Sequence, residues 1–153
     1  MSDSPLGPFI DKGCLIDSKV IGVQNSIDQF FYEDNGKKYM FWGSFRGIYA
    51  TELTDNGLEI KKKTDGTPVL KKRICGNRFE GTNIYKRGEY YYLFASIGTC
   101  CNGATSTYQT VVGRSKNVLG PYLDKTGRDM LYDYCEIIMS GNETWAGPGH
   151  NSI

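Results

Sequence analysis

Two carboxylic acids, Asp28 and Glu80, occupy matching places in two similar stretches of the sequence, 80 − 28 = 52 residues apart. Two acids that face each other can divide the work of acid–base catalysis, because one donates a proton while the other stays ionised. Hydrolysis of a glycosidic bond needs such a pair. The sequence alone leaves open the alternative that both residues cap turns or pair with lysines.

His150 and two adjacent cysteines are the other residues suited to chemistry. His150 is the only histidine and lies in GPGHNSI, where it is either a metal ligand or a hydrogen-bonded structural residue. The five cysteines include no CxxC pair, and a single histidine excludes a Cys/His zinc set. Cys100 and Cys101 are neighbours. Because a disulfide ring between them strains the intervening peptide, we expect two reduced thiols.

A repeat with a period near fifty residues surrounds the two acids. Three further pairs match at the offset of 52: Gly36 with Gly88, Tyr39 with Tyr91, and Ser44 with Ser96. Each copy has an acid, a short apolar segment, a turn with glycine and an aromatic-rich segment, which is the pattern of a β-hairpin. Strands are therefore expected near residues 27–32, 39–45, 48–53, 82–86, 90–96 and 108–115.

A second repeat flanks the hairpins. LGPFIDKG at residues 6–13 recurs as LGPYLDKTG at residues 119–127. Repeats of about 40 to 50 residues with several strands and no helical period are typical of β-propellers, whose inner strands surround one funnel. We predict an all-β chain with two four-stranded blades, at about residues 20–77 and 78–143, and remnants of neighbouring blades at both ends. Residues 1–153 are thus interpreted as part of a propeller, which closes with about four to eight blades.

The composition limits the partners. Eighteen basic and seventeen acidic residues give a net charge of +1, so nothing favours nucleic acid or an anionic membrane as partner. No apolar run is long enough to cross a bilayer, and no signal peptide follows Met1. The absence of a phosphate loop or dinucleotide fingerprint argues against a nucleotide or redox enzyme.

Several segments together resemble family 43 glycoside hydrolases. They are SPLGPF, SIDQFF, DNGKKYMFWGSFRGI, FEGTNIYKRGEYYYLFAS, VVGRSKNVLGPYLDKTG and GPGHNSI. The CC-G-STY loop followed by VVGRSK is more similar to the arabinanase branch than to the xylosidase branch. The resemblance covers nearly the whole chain and implies a five-bladed propeller fold. It also implies a hydrolysis reaction that inverts the configuration of the anomeric carbon.

The resemblance also implies roles for individual residues. Glu80, in FEGTNIY, matches the general acid, and Asp28, in SIDQFF, matches the aspartate that adjusts the acidity of the acid and orients it. His150 matches the residue that holds a metal ion, usually calcium, near the propeller axis of arabinanases. The general base of the family is an aspartate of the first blade and is expected before residue 1. We therefore expect the isolated chain to be inactive.

The function that the resemblance predicts is inverting hydrolysis of α-1,5-linked arabinan or arabino-oligosaccharides of the plant cell wall. Phe45, Cys100 and Cys101 are candidate substrate-binding residues. The alternatives are an arabinofuranosidase or β-xylosidase on the same scaffold, and a propeller that binds sugar without catalysis. We expect the full-length protein to be secreted or periplasmic, and the isolated chain to self-associate through its open blade faces.

Overall fold

The computed structural model describes all of residues 1–153 and consists mainly of β-strands. The strands are β1 (Phe30–Asp34), β2 (Lys37–Trp42), β3 (Ile48–Glu52), β4 (Lys72–Cys75), β5 (Glu80–Arg87), β6 (Tyr90–Ile97), β7 (Gln109–Ser115) and β8 (Glu136–Met139). They form two four-stranded antiparallel sheets, β1-β2-β3-β4 and β5-β6-β7-β8, which we call the first and second blades. The predicted all-β architecture with two four-stranded blades is confirmed.

Helical structure is confined to short turns. The four-residue helix α1 (Ser18–Ile21) precedes the first blade, and single 3-10 turns lie at Gly103–Thr105 and Met130–Tyr132. None of these helices is long and apolar enough to cross a membrane.

The hairpin that joins β1 to β2 follows from its turn residues. Asn35 and Gly36 have φ angles of 50° and 74°. Two consecutive positive φ angles are the geometry of a two-residue turn whose twist matches that of the flanking strands. The turn aligns Asp34 with Lys37 and Phe30 with Phe41. It thereby sets which side chains of β2 face the core.

The main hydrophobic core lies between the two blades. Alternate residues of β2 and β6 point into it, since successive side chains of a strand face opposite sides of the sheet. Phe41 and Ile48 of the first blade and Leu93 and Val111 of the second are fully buried there. This shared core holds the two blades in a fixed arrangement. It therefore determines how far apart the residues at their inner ends lie.

The far faces of the two blades differ. On the first blade, Trp42 is covered by Ile21 and Val23 and is 1% exposed. On the second blade, Tyr85 of β5 and Ile138 of β8 are 50% and 49% exposed. The segment around α1 therefore covers the first blade on the side away from the shared core. The corresponding side of the second blade is open.

Three sequence-based expectations need correction. The predicted strand starts were misplaced at β1, because Asp28 has a φ of 57° and the ladder begins only at Phe30. β4 and β8 were expected as fourth strands but were not located, since each has only four residues and no turn signal defines it. The remnant of a neighbouring blade that was expected before residue 20 contains no strand, and its backbone turns at Ser4–Gly7.

Candidate active site

Glu80 is the buried acid at the inner end of the second blade. It is the first residue of β5 and is 8% exposed. The hydroxyl of Ser44, from the first blade, donates a hydrogen bond of 2.7 Å to Oε2 of Glu80. The phenol of Tyr108, from the second blade, donates to Oε1. Both oxygens of this carboxyl group are therefore held by hydroxyl groups.

Tyr108 is a site residue that the sequence reasoning did not identify. It ends the loop Gly98–Tyr108, which the sequence analysis described only as the CC-G-STY loop. Its side chain is 4% exposed. Burial raises the pKa of Tyr108, and the hydrogen bond to Glu80 raises it further, while the nearby hydroxyl of Ser96 opposes the rise. Tyr108 is thus a neutral hydrogen-bond donor across the ordinary pH range.

Asp28 lies beside the acid, as the repeat predicted. Its Oδ2 accepts a hydrogen bond of 3.1 Å from the backbone N–H of Gly81, the residue that follows Glu80. Asp28 and Glu80 also both contribute to the raised pKa of Tyr108. The structure therefore brings the two acids to one inner end of the blades, although they start on different sheets.

His150 lies at the same end, after the last strand of the second blade. Its backbone N–H donates a 2.7 Å hydrogen bond to Ser96 Oγ. Its ring stands over Gly81, where an added Cβ would lie 3.3 Å from the imidazole. Gly81 has a φ of 62°, a conformation that favours glycine, and a side chain there would also crowd the imidazole.

The acidic side chains of this chain do not gather into a calcium site at His150. No three His, Cys, Asp or Glu side chains lie together as metal ligands. Calcium takes about six to eight oxygen ligands, and His150 would supply one nitrogen. Its oxygen ligands would have to come from water, from backbone or amide carbonyl oxygens, or from groups outside this chain.

Of the three candidate substrate-binding residues, one is bonded to the backbone next to the acid and two lie on the loop that carries Tyr108. The backbone N–H of Phe45 bonds to the carbonyl of Phe79, 3.0 Å away and next to Glu80. Cys100 and Cys101 lie in the loop that ends at Tyr108 and are joined by a disulfide. The expectation of two reduced thiols is therefore wrong. Cys101 has a φ of 68°, and this turn brings the two neighbouring sulfurs together.

A large surface cavity lies outside this site. It has a volume of about 700 Å³ and is lined by residues that include Phe9, Phe31 and Leu58, between the N-terminal segment and the first blade. None of its lining residues belongs to the group around Glu80. Its open apolar lining carries no pair of acids, so it offers no acid–base chemistry.

Two sheets packed as blades, with two acids at their inner ends, are the arrangement expected of a carbohydrate-cleaving propeller. The model of glycosyl hydrolases family 43 matches residues 1–153. The chain therefore belongs to family 43 of the glycosyl hydrolases.

Characterised relatives give the family context. The chain is 39% identical over 161 residues to an extracellular exo-α-(1→5)-L-arabinofuranosidase of Cellvibrio japonicus, covering 97% of this chain and 46% of that protein. It is 35% identical over 149 residues to an extracellular endo-α-(1→5)-L-arabinanase of Bacillus subtilis, covering 96% of this chain and 46% of that protein. The chain spans about half the length of these relatives.

A solved structure agrees with this placement. The α-L-arabinanase of Cellvibrio cellulosa superposes with a TM-score of 0.78 at 37% identity, covering 97% of this chain and 51% of that one. The chain is thus a partial β-propeller whose blades follow the arrangement of that enzyme.

Proposed function

We propose that this chain is part of an inverting glycosidase that cleaves α-1,5-linked arabinan, with Glu80 as its general acid. The observation that carries the proposal is a buried glutamate with both oxygens held, beside a second carboxylate bound to the adjacent backbone. The relatives support the substrate class, since one is described as an exo-arabinofuranosidase and another as an endo-arabinanase. A related arabinanase was solved with arabinohexaose.

In the proposed reaction, Glu80 delivers its proton to the glycosidic oxygen as the bond to the anomeric carbon breaks. Asp28, anchored by the Gly81 N–H, takes the role that the family resemblance assigns to the second carboxylate, which orients the acid. A general base must activate water on the opposite face of the sugar, with the two carboxyl groups about 6.5–9.5 Å apart. The family resemblance assigns this base to an aspartate of the first propeller blade.

Substrate contacts are proposed for the groups around the acid. Phe45 offers a partly buried aromatic side chain, on a segment bonded to the backbone next to Glu80, and an aromatic ring suits stacking on a sugar. The Cys100–Cys101 disulfide lies on the loop that carries Tyr108, and its exposed surface is available to a sugar. We keep His150 as the candidate metal residue, with calcium as the ion that the family resemblance suggests. The two extracellular relatives support secretion of the full-length protein.

The test uses the full-length protein and linear arabinan. Wild type should release reducing ends, and Glu80→Gln should lower the rate by about two to four orders of magnitude, the usual contribution of a general acid. A nitrophenyl arabino-oligosaccharide, whose leaving group needs no proton, should lose far less. Equal losses on both substrates would show that Glu80 is not the acid.

The same assay separates the alternatives. An endo enzyme shortens long chains before it releases small sugars, whereas an exo enzyme releases small sugars from the first minutes. Release of xylose from xylo-oligosaccharides instead would favour the β-xylosidase. Binding of arabinan without any hydrolysis by wild type would favour a non-catalytic propeller.

A further inference from the structure

Glu80 is held by two hydroxyl groups of different origin, which we call the hydroxyl clamp: Ser44 Oγ on Oε2 and Tyr108 OH on Oε1. Ser44 belongs to the repeat, because Ser96 occupies the same place in the second blade. Tyr108 has no counterpart in the first blade. There, the connection between β2 and β3 is the short turn Gly43–Gly47.

The loop Gly98–Tyr108 is built to deliver the phenol to Glu80. Thr99 N–H bonds to Thr107 Oγ1 at 3.1 Å, and Ser106 Oγ donates to the carbonyl of Thr99 at 2.8 Å. These bonds tie the two ends of the loop together. The ring of Tyr108 then packs in the interior, with 4% of its surface exposed.

The clamp acts on the softest torsion of the acid. The last torsion of a glutamate side chain is broad and nearly two-fold, so an unheld carboxyl group rotates easily. A bond on each oxygen fixes the plane of the group and therefore the direction in which it can deliver a proton. A hydroxyl group both donates and accepts. It can therefore hold the carboxyl group before and after the proton leaves, which a lysine or arginine cannot do.

We propose that Tyr108, together with Ser44, is a positioning residue that fixes the carboxyl plane of Glu80 for proton delivery to the leaving oxygen. This inference rests on the proposed function, in which Glu80 is the general acid. The effect of the clamp should appear in the chemical step when the leaving group needs a proton. It should not appear in substrate binding, because neither hydroxyl group is required to touch the sugar.

The experiment compares Tyr108→Phe with wild type in the full-length protein. On an unmodified arabino-oligosaccharide, kcat should fall about 10- to 100-fold, a part of the contribution of a general acid, while KM stays within about twofold. On the nitrophenyl arabino-oligosaccharide, kcat should fall less than about threefold. Ser44→Ala should show the same selective loss, and it decides the question if Tyr108→Phe does not fold.

Tyr91→Phe is the matched control. Tyr91 is also 4% exposed, and its hydroxyl donates a 2.6 Å hydrogen bond to the carboxylate of Asp34, away from Glu80. This variant should keep kcat on both substrates.

The two variants distinguish failure of the clamp from failure of the proposed function. If Tyr108→Phe keeps full activity, or loses it equally on both substrates, the clamp is refuted while a selective loss in Glu80→Gln keeps the proposed function. If Glu80→Gln itself shows no selective loss, the proposed function fails and the clamp fails with it.

Discussion

The two blades share one plan, and the difference between them that bears on the acid lies in a single connection. In the first blade, β2 passes to β3 through Gly43–Gly47. In the second blade, β6 passes to β7 through Gly98–Tyr108, which carries the disulfide and the tyrosine that reaches Glu80. The sheets position both acids, and the longer loop adds a phenol that bonds to Glu80.

Equivalent serines show how the same position serves different ends. Ser44 ends the inner hairpin of the first blade and bonds to the carboxylate of Glu80. Ser96 ends the inner hairpin of the second blade and accepts the backbone N–H of His150. Each serine thus reaches forward to the residue that follows its blade. Ser44 holds the side chain of Glu80, whereas Ser96 holds the backbone of His150.

The largest predicted effect separates two carboxylates of the first blade that both reach the second. Asp28 binds Gly81 N–H, and Asp34 binds the hydroxyl of Tyr91 and Lys86 Nζ. In the full-length protein, Asp28→Asn should lower kcat on arabinan about 100-fold, because the charge beside the acid is lost. Its thermal unfolding midpoint should stay near that of wild type.

Asp34→Asn should behave in the opposite way, because its partners lie in the interface and not around Glu80. It should lower the unfolding midpoint while leaving kcat within about twofold of wild type. Calorimetry and initial rates on the same preparations measure both quantities. A loss of activity in Asp34→Asn as large as that in Asp28→Asn would remove the distinction between catalytic and structural carboxylates.

Much of this comparison could be predicted from the sequence, and the reasons are local. The 52-residue offset predicted the two hairpins because turns with glycine and alternating apolar residues act within a few positions. It also predicted that Asp28 and Glu80 lie close together, because a propeller brings equivalent positions to one funnel.

The parts that were missed depend on the conformation of a loop or on distant contacts. Tyr108 stood in a polar insertion without periodicity, and its partner Glu80 lies 28 residues away. The disulfide depended on the backbone angle of Cys101, which the residue types do not determine. β8 depended on pairing with β7 across a gap of twenty residues that contains no helix or strand except the 3-10 turn Met130–Tyr132.

A smaller effect separates the two copies of the flanking repeat. Asp124 is buried and accepts hydrogen bonds from Thr126 and Arg128, whereas exposed Asp11 accepts one from Gly13 N–H. Burial of Asp124 would raise its pKa, but the bonds from Arg128 and Thr126 outweigh this and hold its pKa well below the usual range. Only the second copy therefore gains a strongly held carboxylate.

The sign of the pH effect follows from this lowered pKa. The stabilisation is present above the pKa of an unfolded aspartate, about 3.9, and is lost as the pH falls through the lower pKa of the folded state. Asp124→Asn should lower the unfolding midpoint at pH 7 by on the order of 5 °C, and the difference should shrink below about pH 4. Asp11→Asn should change the midpoint little at either pH. A pH-independent loss in Asp124→Asn would mean that its charge is not the cause.

The smallest predicted effect concerns the two far faces. Residues around α1 cover the first blade, whereas β8 leaves Ile137, Ile138 and Met139 about half exposed at the edge of the second blade. An unpaired edge strand with exposed apolar side chains favours pairing with another chain. We predict that the isolated chain forms dimers in which β8 of one copy pairs with β8 of the other.

Light scattering at micromolar concentrations measures this association, and substitutions on the two blades locate it. Ile138→Lys puts a charge on the edge strand, where lysine opposes edge-to-edge pairing, and should shift the average mass toward the monomer value. Val20→Lys is the matched control, because Val20 is 88% exposed on α1 over the first blade and lies away from that edge. It should leave the mass unchanged. A wild-type chain that stays monomeric at every concentration would contradict association. If both variants lowered the average mass equally, added charge alone would reduce association, whichever face carried it. The difference between the blades would then have no consequence for assembly.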